Sequence, residues 1–580
     1  MTLGLRPARW TPLACGRFVW SSLACGSLRA SLASVLALVL LAVFAAACRS
    51  TPGTNAAPPA GEPTSPLYPD LGSYSHPITT KSPLAQQYFD QGLRLVYGFN
   101  HDEARLAFEQ AARLDPDAAM PYWGIAYTLG PNYNLPADPA RDRQAWDAVQ
   151  KAQATAAGVS ERERAYVAAI STRYGKDAPT DRRSLDQAYA MAMRELSQRH
   201  PDDLDAATLY AEAMMDLRPW NLWTHDGKAQ PGTDEIVATL ESVLKRNPNH
   251  PGANHYYIHA VEASNAPDRA LPSADRLGGL SPGAGHLVHM PSHIYIRTGR
   301  YGDAADTNVR AVAVDEKYIR EQNVQGDYAM MYYPHNIDFI YASAAFDGRS
   351  ASAIEAADKL IGKIHIEMIP QMPMLEGFVP RPLFARLRFG KWEQILRQPA
   401  PPAGLLYATG VWHYARGIAF LRTGKTAKAQ AELFALEKIG KALPPDQLAT
   451  QVNKGSQLLG VASHTLAGEI EAKRGRYPQA LKQLEAAVKL QDALTYMEPP
   501  DWYYPVRQSL GQVLLEAGRA PKAEAVYRKD LEAYPNNGWS LYGLAASLRA
   551  QGRQQEAADV EQRFTQAWLR ADVTLAASRF

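Results

Sequence analysis

One pattern recurs along this chain and leaves little choice of fold. A small residue, a turn glycine, an alanine, a large apolar residue and often a proline follow one another at constant intervals. The pattern reads Gly511, Gly518, Ala523, Tyr527 and Pro535, and continues in phase as Leu544, Ala545, Gly552 and Ala557. It reads Gly468, Gly475, Ala480, Leu484 and Ala487 one unit earlier, and Gly417, Gly424, Ala429 and Leu433 before that. Far upstream it returns as Gly92, Ala104, Phe108, Ala111 and Pro116. Weaker turn signals stand at Gly299-Arg300-Tyr301, Gly348-Arg349-Ser350 and Gly390-Lys391-Trp392. A period held in register over such a length marks stacked supersecondary units that bury their apolar faces against one another. A chain of 580 residues outgrows a single hydrophobic core, and an array of units avoids that limit.

These residues resemble the tetratricopeptide repeat, in which small residues let two helices approach and large ones fill the groove between them. The resemblance covers most of residues 84–570. It implies an all-α, right-handed α-solenoid of antiparallel helix pairs whose first helices line a concave groove, and that groove is expected to hold a partner protein or peptide. The chain also resembles bacterial lipoproteins of this repeat family, a likeness that carries no assigned activity.

The N-terminus reads as an export signal. Arg6, Arg9, Arg17 and Arg29 precede an uncharged run from Ser31 to Ala47, which ends Ala45-Ala46-Ala47-Cys48. A basic segment, a short apolar segment and small residues before a cut are the grammar of secretion. The Cys after them resembles a lipobox, departing from its preferred pattern in having Ala45 where Leu is favoured; Cys48 is then the lipidation site. A single membrane-spanning anchor is the alternative, for which the apolar run is short. Either way the bulk of the chain is expected outside the cytoplasm, anchored to the bacterial cell envelope and facing the periplasm. Residues 49–82 carry Pro52, Pro58, Pro59, Pro63, Pro66, Pro69 and Pro77 among small residues, and read as a flexible tether.

The remainder divides into an N-terminal helical region at 83–250, central His-rich repeats at 251–350 and C-terminal repeats at 351–580. Within the first, helices are expected over Leu204–Met215 and Thr233–Arg246. Between them, near residues 218–232, an aromatic, turn-rich insertion holds Trp220 and Trp223. It is either a lid over a site or a loop packing its own tryptophans.

Charge and cysteine narrow the chemistry. The net charge of +2 gives no electrostatic footprint for nucleic acid, so none is expected as a partner. The three Cys are Cys15, Cys25 and Cys48, which leaves the repeats without disulfide, thiolate ligand or cysteine nucleophile.

Histidine is unevenly spread. Of 14 His, seven fall between His250 and His335: His250, His255, His259, His286, His289, His293 and His335. In the frame set by the turns at Gly299 and Gly348, His255, His259 and Glu262 fall on groove-facing positions of one first helix. His286, His289 and His293 fall on the next, and His335 and Asp338 on the third. Two His four residues apart share one helix face and can ligate one ion, and His255/His259 and His289/His293 both have that spacing. Pro291 interrupts the second helix, which is expected to begin there, with His286 and His289 on the segment before it. The candidate ligand set is therefore His255, His259, Glu262, His286, His289, His293, His335 and Asp338, for a divalent ion such as zinc or copper. The bland reading is a set of buried histidines satisfying helix packing.

No catalytic residue is identifiable. The segments His-Tyr-Tyr-Ile-His and His-Met-Pro-Ser-His lack the glutamate that zinc peptidases place after their first His. Phosphate-binding, dinucleotide and nucleophile-elbow motifs are absent from the sequence. Met368, Met372 and Met374, near His365 and Glu367, offer soft ligation but read better as packing. The run Tyr328 to His335 is placed to wall a pocket or to pack helices. The expectation is a scaffold or binding protein of the cell envelope; the alternative is a periplasmic metal-binding protein or metal-dependent enzyme.

Overall fold

The computed structural model describes residues 65–177 and 181–580. The expected export signal at 1–48, Cys48 with it, and residues 49–64 of the expected tether lie outside them. The described residues form helices from Pro83–Val96 to Gln554–Ala567. The β pairing found among them is limited to isolated bridges such as Trp223 with Ala229. None of these helices is long and apolar enough to cross a membrane.

The helices pair as the repeat pattern requires: Pro83–Val96 with His101–Leu114, Leu406–Arg422 with Thr426–Ala442, Gly455–Lys473 with Tyr477–Asp492, and Gly538–Ala550 with Gln554–Ala567. Each sequence-marked turn glycine ends a first helix in the left-handed region that L side chains avoid, for example Gly299 at φ 77° and Gly518 at φ 71°. The small residue earlier in the unit serves a different need. A Cβ on Gly511 would stand 2.4 Å from Cζ of Tyr527, and one on Gly543 2.2 Å from the same atom. The Tyr527 ring thus lies between two backbones that only glycine lets so near. The fold is a solenoid of helix pairs.

The region that fits the pattern less well is also built of paired helices. Leu204–Asp216 and Thr233–Arg246 match the expected spans to within a residue.

Two features were not visible in the repeat pattern. First, late repeats touch central ones, although a pure one-dimensional array contacts only its neighbours. Trp539 Nε1 donates to the Ala345 carbonyl at 3.1 Å. The Asp572 carboxylate accepts from the backbone N–H of Ser350 at 2.7 Å, and Arg570 pairs with Asp306 at 2.7 Å. Second, residues 65–82 are not the free tether expected. They form a strap against the first helices, because several of their side chains find partners there. Leu71 is buried in the core. The Ser65 hydroxyl donates to Glu103 at 2.8 Å, Thr80 to Asp115 at 2.6 Å, and His76 to Asp205 at 2.6 Å.

The apolar interior falls into two main clusters, one running from Leu71 to Tyr332 and the other from Val312 to Leu575. The first three histidine-bearing segments contribute to the first cluster, and Tyr333–Phe346 to the second.

Candidate metal centre

Helix Pro251–Glu262 carries the first histidines, and its start is fixed twice over. Pro251 occupies the first turn, where its missing N–H costs nothing. His250 caps the helix, its Nδ1 accepting from the Ala253 N–H at 3.2 Å. His250 is therefore a capping residue and not a ligand. The next segment breaks at proline as expected, into Gly285–His289 and Pro291–Arg297. Met290 between them stays in the right-handed helical region at φ −51°, ψ −35°. The face is thus preserved across the break, and His289 still meets His293. His335 enters from Tyr333–Phe346, which follows a π-helical turn at Tyr328–Tyr332.

Six imidazoles converge. His255, His259, His286, His289 and His293 are all buried, and His335 is half-buried. Ring centroids stand 4.9 Å apart for His255 and His286, 5.5 Å for His286 and His289, 5.4 Å for His259 and His293 and 4.9 Å for His289 and His335.

In four of the rings a hydrogen bond places a proton on Nδ1. His255 Nδ1 lies 2.7 Å from the Tyr97 carbonyl, so it must donate. His259 Nδ1 donates to Glu262 Oε1 at 2.7 Å, and His293 Nδ1 to Glu262 Oε2 at 2.5 Å. His289 Nδ1 lies 2.6 Å from Asn308 Oδ1, while the Asn308 amide donates at 2.8 Å to the Ala304 carbonyl. Asn308 therefore offers only its oxygen, and His289 Nδ1 also donates. In its neutral form each of the four rings carries a lone pair on Nε2. His289 Nε2 stands 2.9 Å from His293 Nε2, a spacing that needs a cation, a proton or a metal ion, between them. His255 Nε2 stands 3.2 Å from His286 Nε2. His259 Nε2 is buried without a partner, which costs about 1–3 kcal/mol for an unsatisfied polar group.

Electrostatics favour the neutral form of five of the six rings. Burial and the neighbouring imidazoles push His255, His286 and His289 well below the usual imidazole range. Burial does the same to His259, and burial with His293 brings His335 to about 3. Burial alone would raise Glu262, but the facing His293 and His259 pull it down to about 2, so it stays a carboxylate. Imidazoles held by Nδ1–H to oxygen, with a carboxylate behind two of them, are the outer-shell arrangement that orients metal-binding histidines.

Two members of the sequence-based ligand set take other roles. Glu262 has one oxygen on His259 Nδ1 and the other on His293 Nδ1; it forms a metal-spaced group with these two rings, and with their Nδ1 atoms protonated it orients them. Asp338 lines the same chamber as His335, but one of its oxygens is held 2.9 Å from Arg381 Nη2, the other is buried without a partner, and it belongs to none of the metal-spaced groups. The sequence also missed residues that shape the site. Tyr97 and Asn308 supply acceptors. Phe99, at φ 54°, lays its ring 4.5 Å from that of His255, and Phe339 lies 4.7 Å from both His289 and His293. A non-glycine residue in the left-handed region is a flag that could have been sought at Phe99 only with a backbone in hand.

A chamber of about 60 Å³ opens beside the cluster, walled by His259, His286, His293 and His335 with Met331 and Tyr332. The run Tyr328 to His335 therefore does wall a pocket. The insertion near 218–232 covers the same place: the Trp220 ring lies 5.6 Å from that of His259, and Trp223 Nε1 donates to the Ala260 carbonyl at 2.7 Å. Trp220, Met497 and Asp501 are shared with a larger groove of about 960 Å³. Of the methionine group, Met374 reaches the chamber. Met368 and Met372 pack on the core, and His365 is exposed beside Glu367.

Residues 509–568 match the tetratricopeptide-repeat family. That match covers the last helix pairs of the array, and the paired helices upstream of it are arranged in the same way. No curated protein matches it. Among solved structures, a human IFIT1 dimer with m7Gppp-AAAA aligns at 13% identity over 78% of this chain and 90% of that one, with a TM-score of 0.31. The APC/C hetero-tetramer Cut9-Hcn1 aligns at 11% identity over 84% and 74%, with a TM-score of 0.28.

Proposed function

We propose that this tetratricopeptide-repeat scaffold is a metal-binding protein whose central repeats hold a first-row transition ion on histidine. One observation carries the reading: the Nε2 atoms of His289 and His293 face each other at 2.9 Å although both rings spend their proton on Nδ1. Lone pairs at that distance repel unless a cation lies between them, and a metal ion meets that need for the buried rings around them as well as for this pair. Around a tetrahedral ion with bonds of about 2.05 Å, adjacent ligand nitrogens stand about 3.3 Å apart, close to the observed spacing. Imidazole donors suit zinc, copper, iron or nickel.

The N-terminal segment ending at Cys48 supports export and a lipid anchor, which would set the centre in the cell envelope, facing the periplasm. A second reading, a partner protein or peptide in the groove, is favoured by the cavity of about 960 Å³ beside the chamber.

The test is the metal content of the full chain, purified without an affinity tag or chelator. A near-stoichiometric transition metal that disappears in a His289→Ala, His293→Ala double variant supports the reading. No metal, with no rise in melting temperature on adding zinc or copper, overturns it and leaves the partner-binding scaffold.

A further inference from the structure

We infer that the centre is built for two metal ions, one held by His255, His259 and His286 and the other by His289, His293 and His335. This rests on the metal-centre reading above and goes past it in the number of ions and the division of ligands. The ligand nitrogens of each triad lie within 4.8 Å of one another. The six imidazoles group as two sets of three rather than as one, whereas six ligands around a single octahedral ion would all lie within about 4.2 Å. Each set contains its own close Nε2 pair, His255/His286 at 3.2 Å and His289/His293 at 2.9 Å. Each pair has a third ring beside it: His259, whose Nε2 is buried and unpartnered, and His335, which faces the chamber.

Glu262 ties the two sets together. One oxygen takes the Nδ1–H of His259 from the first triad, and the other takes that of His293 from the second. A single carboxylate thus orients one ligand of each ion, which gives a reason for its burial that a one-ion site would not need.

Charge points to what else the centre takes. Two divalent ions on neutral imidazoles bring four positive charges into a buried space, and Glu262 offsets one. Asp338 is engaged by Arg381, and the Asp501 carboxylate accepts from Thr450 and Asn453 at 2.7 Å each. The chamber of about 60 Å³ is bordered by rings of both triads. That is room for a few water-sized ligands, since one water needs about 10–15 Å³ on this measure. A bridging hydroxide or small anion is the occupant that this size and charge select.

The experiment loads the full chain with copper(II) or zinc, removes the excess, and counts bound ions per chain. Electron paramagnetic resonance is recorded on the copper form. Two ions per chain are expected, with a copper signal well below the copper content because adjacent ions couple. His255→Gln and His335→Gln, each checked for folding by its melting curve, should each leave one ion and restore a full one-copper signal. One ion per chain in the unaltered protein overturns the two-ion centre while the metal-centre reading stands. Two ions with an undiminished signal also overturn it, since the ions would then be apart. No bound ion overturns both.

Discussion

His293 Nδ1 lies 2.5 Å from Glu262 Oε2, a contact between the end of one helix and the middle of a segment 31 residues further along. It orients one imidazole, while the other oxygen of the same carboxylate orients His259. A glutamine there offers one acceptor oxygen in place of two. Glu262→Gln should therefore weaken metal affinity by about 10–100-fold, the usual loss for an outer-shell partner, with little change in helix content. Competition against a chelator of known affinity measures it.

Asn308→Leu should act in the same direction through His289. The leucine removes the close acceptor at His289 Nδ1 and leaves the Ser292 hydroxyl at 3.4 Å, so affinity falls and the residual site becomes more pH-sensitive. A chelator titration at two pH values reads both changes.

The metal-free protein should lose stability as pH falls below about 6.5. His255, His259, His286 and His289 are held below their ordinary value by burial, as is His335 at about 3, so in this range the unfolded chain takes up protons that the folded one refuses. Stability from such groups is present above the unfolded pKa and is lost on the way down, at up to about 1.4 kcal/mol per pH unit for each imidazole. Glu262, lowered to about 2, adds to the loss below the ordinary glutamate range. Glu498, raised by burial to about 8, acts oppositely: its contribution is present below the unfolded value and lost as pH rises through 8. Denaturant midpoints from pH 4 to pH 9 should give a maximum near neutrality, and added metal should raise the midpoint most on its alkaline side.

Gly511→Ala should destabilise the C-terminal repeats by about 1–3 kcal/mol, the cost of forcing a methyl group into a packed interior. Its Cβ would press on the Tyr527 ring, which cannot withdraw because Gly543 backs it and its hydroxyl is held at 2.7 Å from Ser578. Chemical denaturation measures the loss, and metal content should not change.

Asp205→Ala should loosen the strap. Asp205 accepts from Tyr74 and Tyr97 and from His76, and it faces His250, the cap of the first histidine helix. Limited proteolysis should cut between Ser65 and Ser82 faster in the variant than in the unaltered chain.

Much of this was legible in the sequence because repeats write their geometry locally. The turn glycines at 299, 348, 390, 424, 475, 518 and 552 all adopt positive φ, and the frame they set brought all six converging histidines to one site. What escaped depends on contacts distant in the chain. Asp338 shared the face of His335, yet Arg381, 43 residues later, claims it. The backbone carbonyl of Tyr97, 158 residues before His255, has no side-chain signature at all. The strap at 65–82 has a composition suited to a linker, and its place is set by polar groups of the helices beneath it, Asp90, Glu103, Asp115, Glu163 and Asp205 among them, which leave no mark in the strap's own sequence.

The account stands most directly on what surrounds the ion. X-ray absorption at the edge of the metal retained by the full chain should show nitrogen neighbours at about 2.0–2.1 Å, the usual metal–imidazole distance, with the multiple scattering of several imidazole rings. A shell dominated by sulfur, a shell of oxygen without imidazole scattering, or a chain that retains no metal under any loading condition would contradict it.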